Sequence, residues 1–150
     1  MQEIVYEKLT YIGEVLWYDK LSYARIIPRE DMINLSLTQK AYLAGFLDGD
    51  GSIYVQAKVN KTYRFGYQIA PYVVFYQSSQ SKEFEKICQL ISLGYIRERK
   101  DGIKEYIIGT QEGIKKFLKE VSRFLILKQR QAVIMLQILR QKESVKTTGD

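Results

Sequence analysis

Two aspartates at the end of one predicted helix are the residues of this sequence best suited to do chemistry. Asp48 and Asp50 alternate with Gly49 and Gly51, directly after the largely apolar run 43–47. Glycine and aspartate are common where helices end, but carboxylates there face the negative end of the helix dipole. A bound cation would reverse that unfavourable placement. The pattern therefore indicates either an ordinary helix end or a site for a divalent metal.

A calcium-binding loop is one form that such a metal site could take. The run Asp-Gly-Asp-Gly-Ser-Ile resembles the middle of an EF-hand, with Gly51 at the invariant glycine and Ile53 at the eighth position. The same alignment puts Phe46 at the first position and Ala57 at the twelfth, where carboxylates are needed. The sequence therefore excludes an EF-hand.

The residue types that the chain lacks restrict the catalytic mechanisms and metal sites that are possible. The 150 residues include no histidine and a single cysteine, Cys88. This excludes Ser-His-Asp and Cys-His catalysis, zinc fingers, and every metal site built on imidazole. An intramolecular disulfide is impossible as well. Any chemistry in this chain must come from carboxylates, amides, lysines and a metal ion.

The charge balance favours a polyanionic partner. The chain has 23 Lys and Arg against 17 Asp and Glu, a net charge of +6, with an isoelectric point near 9.3. Its length corresponds to about one domain. No apolar run approaches the ~20 residues of a membrane span, and we find no signal peptide. We therefore expect an intracellular protein that does not contact a membrane.

The elements that must position the aspartates are a helix and the hairpin after it. Ser36 and Gln39 form a capping box, which predicts that the helix begins there and ends at the aspartates. Alternating apolar and polar residues predict one strand over 52–59 and a second over 63–77. Pro71 donates no backbone hydrogen bond, so we expect an edge or a bulge at that position.

The remaining elements repeat this order. We predict a helix over 81–91, a hairpin with strands at 95–99 and 104–108, a helix over 114–121 and a last helix over 128–140. Helix, hairpin, helix, hairpin, helix is an α+β pattern with an antiparallel sheet. We predict three segments: an N-terminal helical extension over 1–35, one domain over 36–141, and a frayed C-terminal tail over 142–150.

A family resemblance agrees with this pattern. The stretch from Leu43 to Gly51, followed by Ser52-Ile53, resembles the signature of LAGLIDADG homing endonucleases, DNA-cleaving enzymes encoded within introns and inteins. The two hairpins, Tyr-Ile-Arg-Glu-Arg at 95–99 and Leu-Ile-Leu-Lys-Gln-Arg-Gln-Ala at 125–132 also resemble the short, single-motif members. The resemblance implies an αββαββα fold. It also implies hydrolysis of both strands of a long, near-palindromic duplex.

The resemblance further implies roles for individual residues. Asp50 matches the acidic metal ligand, with the carbonyl of Gly49 beside it. Gln77 and Lys128 match positions that order solvent and approach the scissile phosphate, so we expect them to be catalytic. Mg²⁺ is the implied cofactor, and Mn²⁺ or Ca²⁺ would occupy the same sites, Ca²⁺ without turnover. Ser81 stands where relatives often carry a basic residue, which is a departure from the family pattern.

A single copy of the motif implies a homodimer, because in this family two motif helices pack against each other. The predicted contact residues are Leu43, Ala44, Gly45 and Leu47, and the small Ala44 and Gly45 permit close approach. Whether Asp48 ligates a metal or simply ends the helix is left open.

The outward-facing strand positions are predicted to contact bases in the major groove, where all four base pairs are distinguishable. They are Tyr54, Gln56, Lys58, Asn60, Arg64, Gln68, Tyr72, Tyr76, Arg97, Arg99 and Glu105. Glutamine can pair with adenine and arginine with guanine, and we expect Glu105 to orient the two arginines. Alternation alone would fit the solvated face of any sheet equally well.

Two other functions are compatible with the same fold. The chain could be an RNA-splicing maturase that binds its host intron RNA, or a DNA-binding regulator without catalysis. The intact Asp50 favours cleavage. In each case we expect the protein in the compartment of the encoding genome.

Overall fold

The computed structural model describes residues 34–147, so the predictions made for residues 1–33 lie outside the described residues. The elements in chain order are α1 (Leu37–Asp50), β1 (Gly51–Val59), β2 (Tyr67–Ser78), α2 (Phe84–Ile91), β3 (Tyr95–Glu98), β4 (Ile103–Ile108), α3 (Gln111–Val121), a 3₁₀ turn (Ser122–Phe124) and α4 (Gln129–Thr147). This order, αββαββα followed by a fourth helix, confirms the predicted α+β class. The last helix continues past residue 141, where the sequence predicted fraying.

The first helix begins and ends where the sequence predicts. Ser36 Oγ accepts a hydrogen bond from the Gln39 N–H at 3.2 Å, and the Ser36 N–H donates to Gln39 Oε1 at 2.8 Å. These two bonds are the predicted capping box. At its other end α1 runs through both aspartates to Asp50, and the next residue, Gly51, is already extended. Both carboxylates therefore belong to the last turn of α1.

The four strands form one antiparallel sheet in the order β1-β2-β4-β3. β1 pairs with β2 from Gly51 opposite Phe75 to Val59 opposite Tyr67. Residues 60–66 form the connecting turn, so β2 begins later than predicted. The Asn60 side chain fixes that turn, because its Oδ1 accepts from the Thr62 N–H at 3.1 Å.

Pro71 occupies an edge, as predicted. It lies opposite Val55 of β1, whereas the pairing of β2 with β4 begins at Val73. On that side β2 therefore has no neighbouring strand at Pro71. The missing N–H at this position costs the sheet little.

The helices cover one face of the sheet and enclose the core. Phe75 of β2 lies at its centre, with its ring 5.3 Å from Phe46, 5.6 Å from Phe117 and 6.4 Å from Tyr106, centroid to centroid. A largely buried ion pair between Lys40 of α1 and Glu120 of α3 links two of these helices. Core packing therefore fixes the position of α1, and with it both aspartates.

None of the helices within residues 34–147 combines the length and the apolar character needed to cross a membrane.

Candidate active site and nucleic-acid interface

The end of α1 presents one carboxylate to solvent. Asp50 is exposed, and among the described residues its side chain forms no hydrogen bond or ion pair. Gly51, the next residue, lets the chain turn directly from helix to strand. A Cβ there would lie 2.5 Å from Leu47 Cδ1 and 2.9 Å from the Leu47 carbonyl oxygen. The tight connection therefore fixes Asp50 at the base of β1.

The Asp50 carboxylate is an oxygen ligand of the kind that Mg²⁺ prefers. Within residues 34–147, no group of three or more His, Cys, Asp or Glu residues could enclose a metal. Mg²⁺ does not require such a cage, since it usually takes one or two carboxylates, several waters and substrate phosphates. An exposed, unpaired Asp50 with the Gly49 carbonyl beside it is compatible with that mode of binding.

Asp48 has different surroundings, although it is only two positions away. Its Oδ2 accepts the backbone N–H groups of Ile126 at 2.7 Å and Leu127 at 3.1 Å, and its Oδ1 accepts that of Lys128 at 2.9 Å. These amides lie immediately before α4. Asp48 therefore fixes the start of the last helix against the end of the first.

Lys128 reaches the same helix end. Its half-buried side chain donates from Nζ to the backbone carbonyl of Asp48 at 2.5 Å. The ammonium thus lies at the negative end of the α1 dipole, where a cation is favourable. The structure brings the predicted Lys128 to the turn that carries Asp50.

Gln77 of β2 lies near the last turn of α1. It stands two residues beyond Phe75, which pairs with the first residue of β1, Gly51. That spacing is about 7 Å along a strand. Its Oε1 accepts the Ser78 N–H at 2.9 Å, and within residues 34–147 its amide N–H₂ has no hydrogen-bond acceptor.

The sheet face opposite the core carries most of the predicted DNA-contact residues. The register places Tyr54 opposite Tyr72, Lys58 opposite Gln68, and Glu105 opposite both Tyr76 and Arg97. Directly opposite residues of an antiparallel pair share a face. Eight predicted residues meet there: Tyr54, Gln56, Lys58, Gln68, Tyr72, Tyr76, Arg97 and Glu105.

Three of the predicted residues lie outside the strands to which they were assigned. Asn60 and Arg64 belong to the turn between β1 and β2, and Arg99 follows the end of β3. Asn60 still reaches the sheet, since its Nδ2 donates to Gln68 Oε1 at 3.4 Å. Tyr95 was not predicted, yet it lies on this face two residues before Arg97 and is 58% exposed. The alternation with Arg97 was the signal that could have identified it.

Glu105 is the charge centre of the arginine end of this face. It is 5% exposed, and its Oε2 accepts from Arg97 Nε at 2.7 Å while its Oε1 accepts from Arg99 Nη1 at 3.4 Å. The hydrogen bond and the negative charge of Glu105 raise the pKa of Arg97. Arg99 also pairs with Asp101 at 2.6 Å. Glu105 thus contacts both arginines, as an orienting role requires.

The tyrosine end of the face is held by contacts among its own side chains. The rings of Tyr54 and Tyr72 are 5.4 Å apart, and Lys58 donates a hydrogen bond to the Tyr72 hydroxyl. Burial, with smaller effects from Tyr76 and Tyr72, raises the pKa of Tyr54, and the Tyr72 bond raises the pKa of Lys58. At neutral pH Tyr54 is therefore a neutral phenol and Lys58 a cation.

The predicted helix-contact residues do not lie together on the free side of α1. Leu43, Ala44 and Leu47 are all 0% exposed, because they pack into the core of their own subunit. Gly45 alone among the four is exposed. We therefore correct this prediction: the first three are core residues, and a partner helix would have to contact the opposite side of α1.

That opposite side carries a stripe of small or apolar residues. Leu37, Ala41, Gly45 and Gly49 recur every four positions, so they follow one side of the helix, and all four are exposed. No heavy atom of the described residues comes within 4 Å of a Cβ built at Gly45 or Gly49. We call these four residues the α1 stripe.

The αββαββα fold, the single exposed carboxylate at the end of α1 and the polar sheet face together define a nuclease of the LAGLIDADG type. Residues 43–138 match the family model described as LAGLIDADG endonuclease, and the chain belongs to this family of homing endonucleases. It is similar to DNA endonuclease I-CreI of Chlamydomonas reinhardtii, with 39% identity over 110 residues that cover 73% of this chain and 67% of the relative.

A second relative extends the comparison to solved structures. DNA endonuclease I-CvuI of Chlorella vulgaris is 31% identical over 108 residues, which cover 71% of this chain and 66% of that protein. A crystal structure of I-CvuI with the I-CreI target in the presence of Mg, described as showing uncleaved DNA, superposes with a TM-score of 0.68 at 30% identity. That superposition covers 73% of this chain and 70% of the solved one. The archaeal intron-encoded endonuclease I-Vdi141I is 21% identical, with a TM-score of 0.64 over 75% of this chain and 73% of its own, and shares the fold.

Proposed function

We propose that this chain hydrolyses both strands of a long, near-palindromic DNA duplex at a specific site, working as a homodimer with Mg²⁺. The observation that carries the proposal is the exposed Asp50 at the junction of α1 and the sheet, whose carboxylate has no partner in the part of the chain that the structure describes. One end of the polar sheet face is close to it, since β1 begins at the following residue. A duplex lying on that face would therefore pass the carboxylate.

The metal would be held by the Asp50 carboxylate and the Gly49 carbonyl. Mg²⁺ lowers the pKa of bound water and neutralises charge on the scissile phosphate when it is bound. Mn²⁺ or Ca²⁺ would occupy the same place, and we propose that Ca²⁺ supports DNA binding without turnover. Crystals of I-CvuI with its target contain Ca.

Two side chains of this protein would act on the phosphate and the attacking water. The Lys128 ammonium would stabilise charge that develops on the phosphate, which is worth most where the donor is fixed in advance. Its hydrogen bond to the Asp48 carbonyl supplies that fixation. The Gln77 amide N–H₂ would donate to the water or to a phosphate oxygen.

Cleavage of two strands would require two such sites. One chain supplies one Asp50 carboxylate. A second copy of the chain would supply the carboxylate of the second site. We propose that the α1 stripe of one subunit packs against that of its partner. Small residues at four-residue spacing let two helix backbones come close together, and Leu37, which is 64% exposed, would lose apolar surface to the contact.

The sheet face would recognise the sequence of the DNA. Antiparallel ribbons fit the major groove, and each good bidentate contact to a base contributes about 1–3 kcal/mol of discrimination. Gln56 and Gln68 suit adenine, and Arg97 and Arg99 suit guanine. Two copies of the face would recognise two half-sites, hence a near-palindromic target. The compartment would be that of the encoding genome.

Cleavage of a randomised duplex library tests the proposal. We expect the wild type with Mg²⁺ to cut both strands at one near-palindromic site, and EDTA or Asp50→Asn to abolish cutting. As a control, Glu83→Gln also removes one negative charge, from an exposed residue immediately before α2. This variant should cut DNA normally. Selective binding without cuts would indicate a regulator, and neither binding nor cutting of DNA would indicate a maturase acting on intron RNA.

A further inference from the structure

Asp48 has a role that the proposed metal site does not use. In a helix successive residues rotate by about 100°, so residues two apart point in directions about 200° apart. Asp48 and Asp50 therefore project from opposite sides of α1. One carboxylate faces the segment before α4, and the other faces solvent. The two cannot approach one ion together.

The Asp48 carboxylate is already engaged by three donors. Both of its oxygens accept backbone N–H groups, from Ile126, Leu127 and Lys128, at 2.7, 3.1 and 2.9 Å. Hydrogen bonds from N–H groups to an ionised carboxylate are about twice as strong as neutral ones. A carboxylate at the N-terminus of α4 is also favoured by that helix's dipole. These contacts account for the conformation of Asp48 without a metal.

Lys128 is joined to residue 48 at both ends. Its backbone N–H donates to the Asp48 side chain, and its Nζ donates to the Asp48 backbone carbonyl at 2.5 Å. This double contact restricts a side chain with many rotamers to the end of α1. The ammonium is thus held near Asp50 before any substrate binds.

We infer that Asp48 is a positioning residue that holds Lys128 at the active site, and that it does not ligate the metal. The inference rests on the proposed function in one respect: Lys128 is taken to act on the scissile phosphate. The anchoring itself does not depend on that function, so the two can fail separately.

Hydrogen exchange on the protein without DNA or metal tests the anchor. The amides of residues 126–128 should exchange slowly in the wild type and at least tenfold faster in Asp48→Asn, which keeps one acceptor oxygen, and faster still in Asp48→Ala. Asp50→Asn is the matched control and should leave these amides unchanged. Unaltered exchange in Asp48→Asn would overturn the anchor. Exchange of the β2 and β4 amides reports whether each variant is folded, and Asp48→Asn alone is sufficient if the alanine variant is not.

Cleavage kinetics test the action through Lys128. Misplacement of a catalytic group by about 1 Å can cost roughly 100-fold in rate, so we expect Asp48→Asn to lower the single-turnover rate by about 10- to 100-fold. DNA affinity in Ca²⁺ and the half-saturating Mg²⁺ concentration should not change. In a Lys128→Ala background, Asp48→Asn should cost less than about threefold, because the group that it positions is gone.

Two results would contradict the inference. Rescue of Asp48→Asn by excess Mg²⁺ would make Asp48 a metal ligand. If Asp48→Asn lowered the cleavage rate equally with and without the Lys128 side chain, Asp48 would not act through Lys128. If the wild type cuts no DNA, the proposed function fails, while the exchange experiment still decides whether Asp48 anchors residues 126–128.

Discussion

At the scale of single residues, the arginine end of the sheet face shows how a buried carboxylate can orient an arginine that is proposed to contact a DNA base. Arg97 donates to Glu105 from Nε and from Nη2, so its Nη1 group takes no part in the bonds to this carboxylate. The Arg97 side chain is 60% exposed, whereas the Glu105 side chain is 6% exposed. A fixed but accessible guanidinium loses less entropy on binding than a freely rotating one.

Arg97→Ala should therefore relax base preference at one position of each half-site. We expect discrimination there to fall by about 1–3 kcal/mol, roughly 5- to 150-fold, with other positions unaffected. Lys61→Ala, in the turn after β1, is the comparison: a lysine that meets phosphate weakens all sequences alike. Cleavage profiles on the randomised library measure both. Equal losses of Arg97→Ala on matched and mismatched sites would contradict the prediction.

At the scale of elements, the position of α1 depends on its contact with α3. Lys40 and Glu120 pair across these helices with side chains 14% and 5% exposed. Removal of one partner leaves a charge that is buried and unpaired, which typically costs several kcal/mol. The pair therefore contributes to holding the helix that carries Asp50.

Glu120→Gln should lower the free energy of unfolding by about 3 kcal/mol. Glu83→Gln is the matched control, because it breaks a pair with Lys86 whose side chains are 71% and 75% exposed. Such surface pairs contribute about 0–1 kcal/mol. Urea denaturation of both variants gives the comparison. A loss below 1 kcal/mol for Glu120→Gln would mean that packing, rather than the ion pair, holds α1 to α3.

The elements also show what sequence patterns can and cannot predict. The start of α1 was predictable because Ser36 and Gln39 are local partners, three positions apart. Its end was also predicted, but the partners of Asp48 in the last turn were not, because they come from residues 126–128, 78 to 80 positions away along the chain. The start of β2 was also missed, since the Asn60 side chain extends the turn.

The same distinction applies to the candidate site. Alternation along the strands placed most of the sheet-face residues correctly, because the period of two is a property of the backbone. The buried side of α1 was assigned to a partner helix, since leucine and alanine suit a subunit's own core and an interface equally well. The sequence contains no local signal that distinguishes those two surroundings.

At the scale of the whole molecule, the two surfaces proposed for function carry different chemistry. The sheet face presents lysine, arginines, glutamines and tyrosines, in keeping with a net charge of +6 and a polyanionic partner. The α1 stripe presents Leu37, Ala41, Gly45 and Gly49, which offer neither charge nor hydrogen-bonding side chains. DNA would be attracted to the first, whereas the second suits another apolar helix.

A larger side chain at Gly45 should block the assembly of two subunits without destabilising either subunit. A Cβ at this position is free of contacts within 4 Å among the described residues, so the subunit accommodates a larger side chain. Gly45→Leu should even stabilise the isolated subunit by roughly 0.5–1 kcal/mol, because leucine favours the helix more than glycine does. Two closely packed α1 stripes, by contrast, would leave no room for it.

We therefore expect Gly45→Leu to sediment as a monomer, to remain folded, and to lose double-strand cleavage. Gln89→Leu adds the same side chain to the exposed side of α2 and should remain a dimer that cuts normally. Both variants expose one more leucine, so added hydrophobicity cannot account for a difference between them. A Gly45→Leu protein that is still dimeric and still cuts both strands would place the subunit contact elsewhere. Each subunit would contribute one Asp50. Retained dimerisation and cleavage would therefore mean that a different arrangement of the subunits brings the two carboxylates to the duplex.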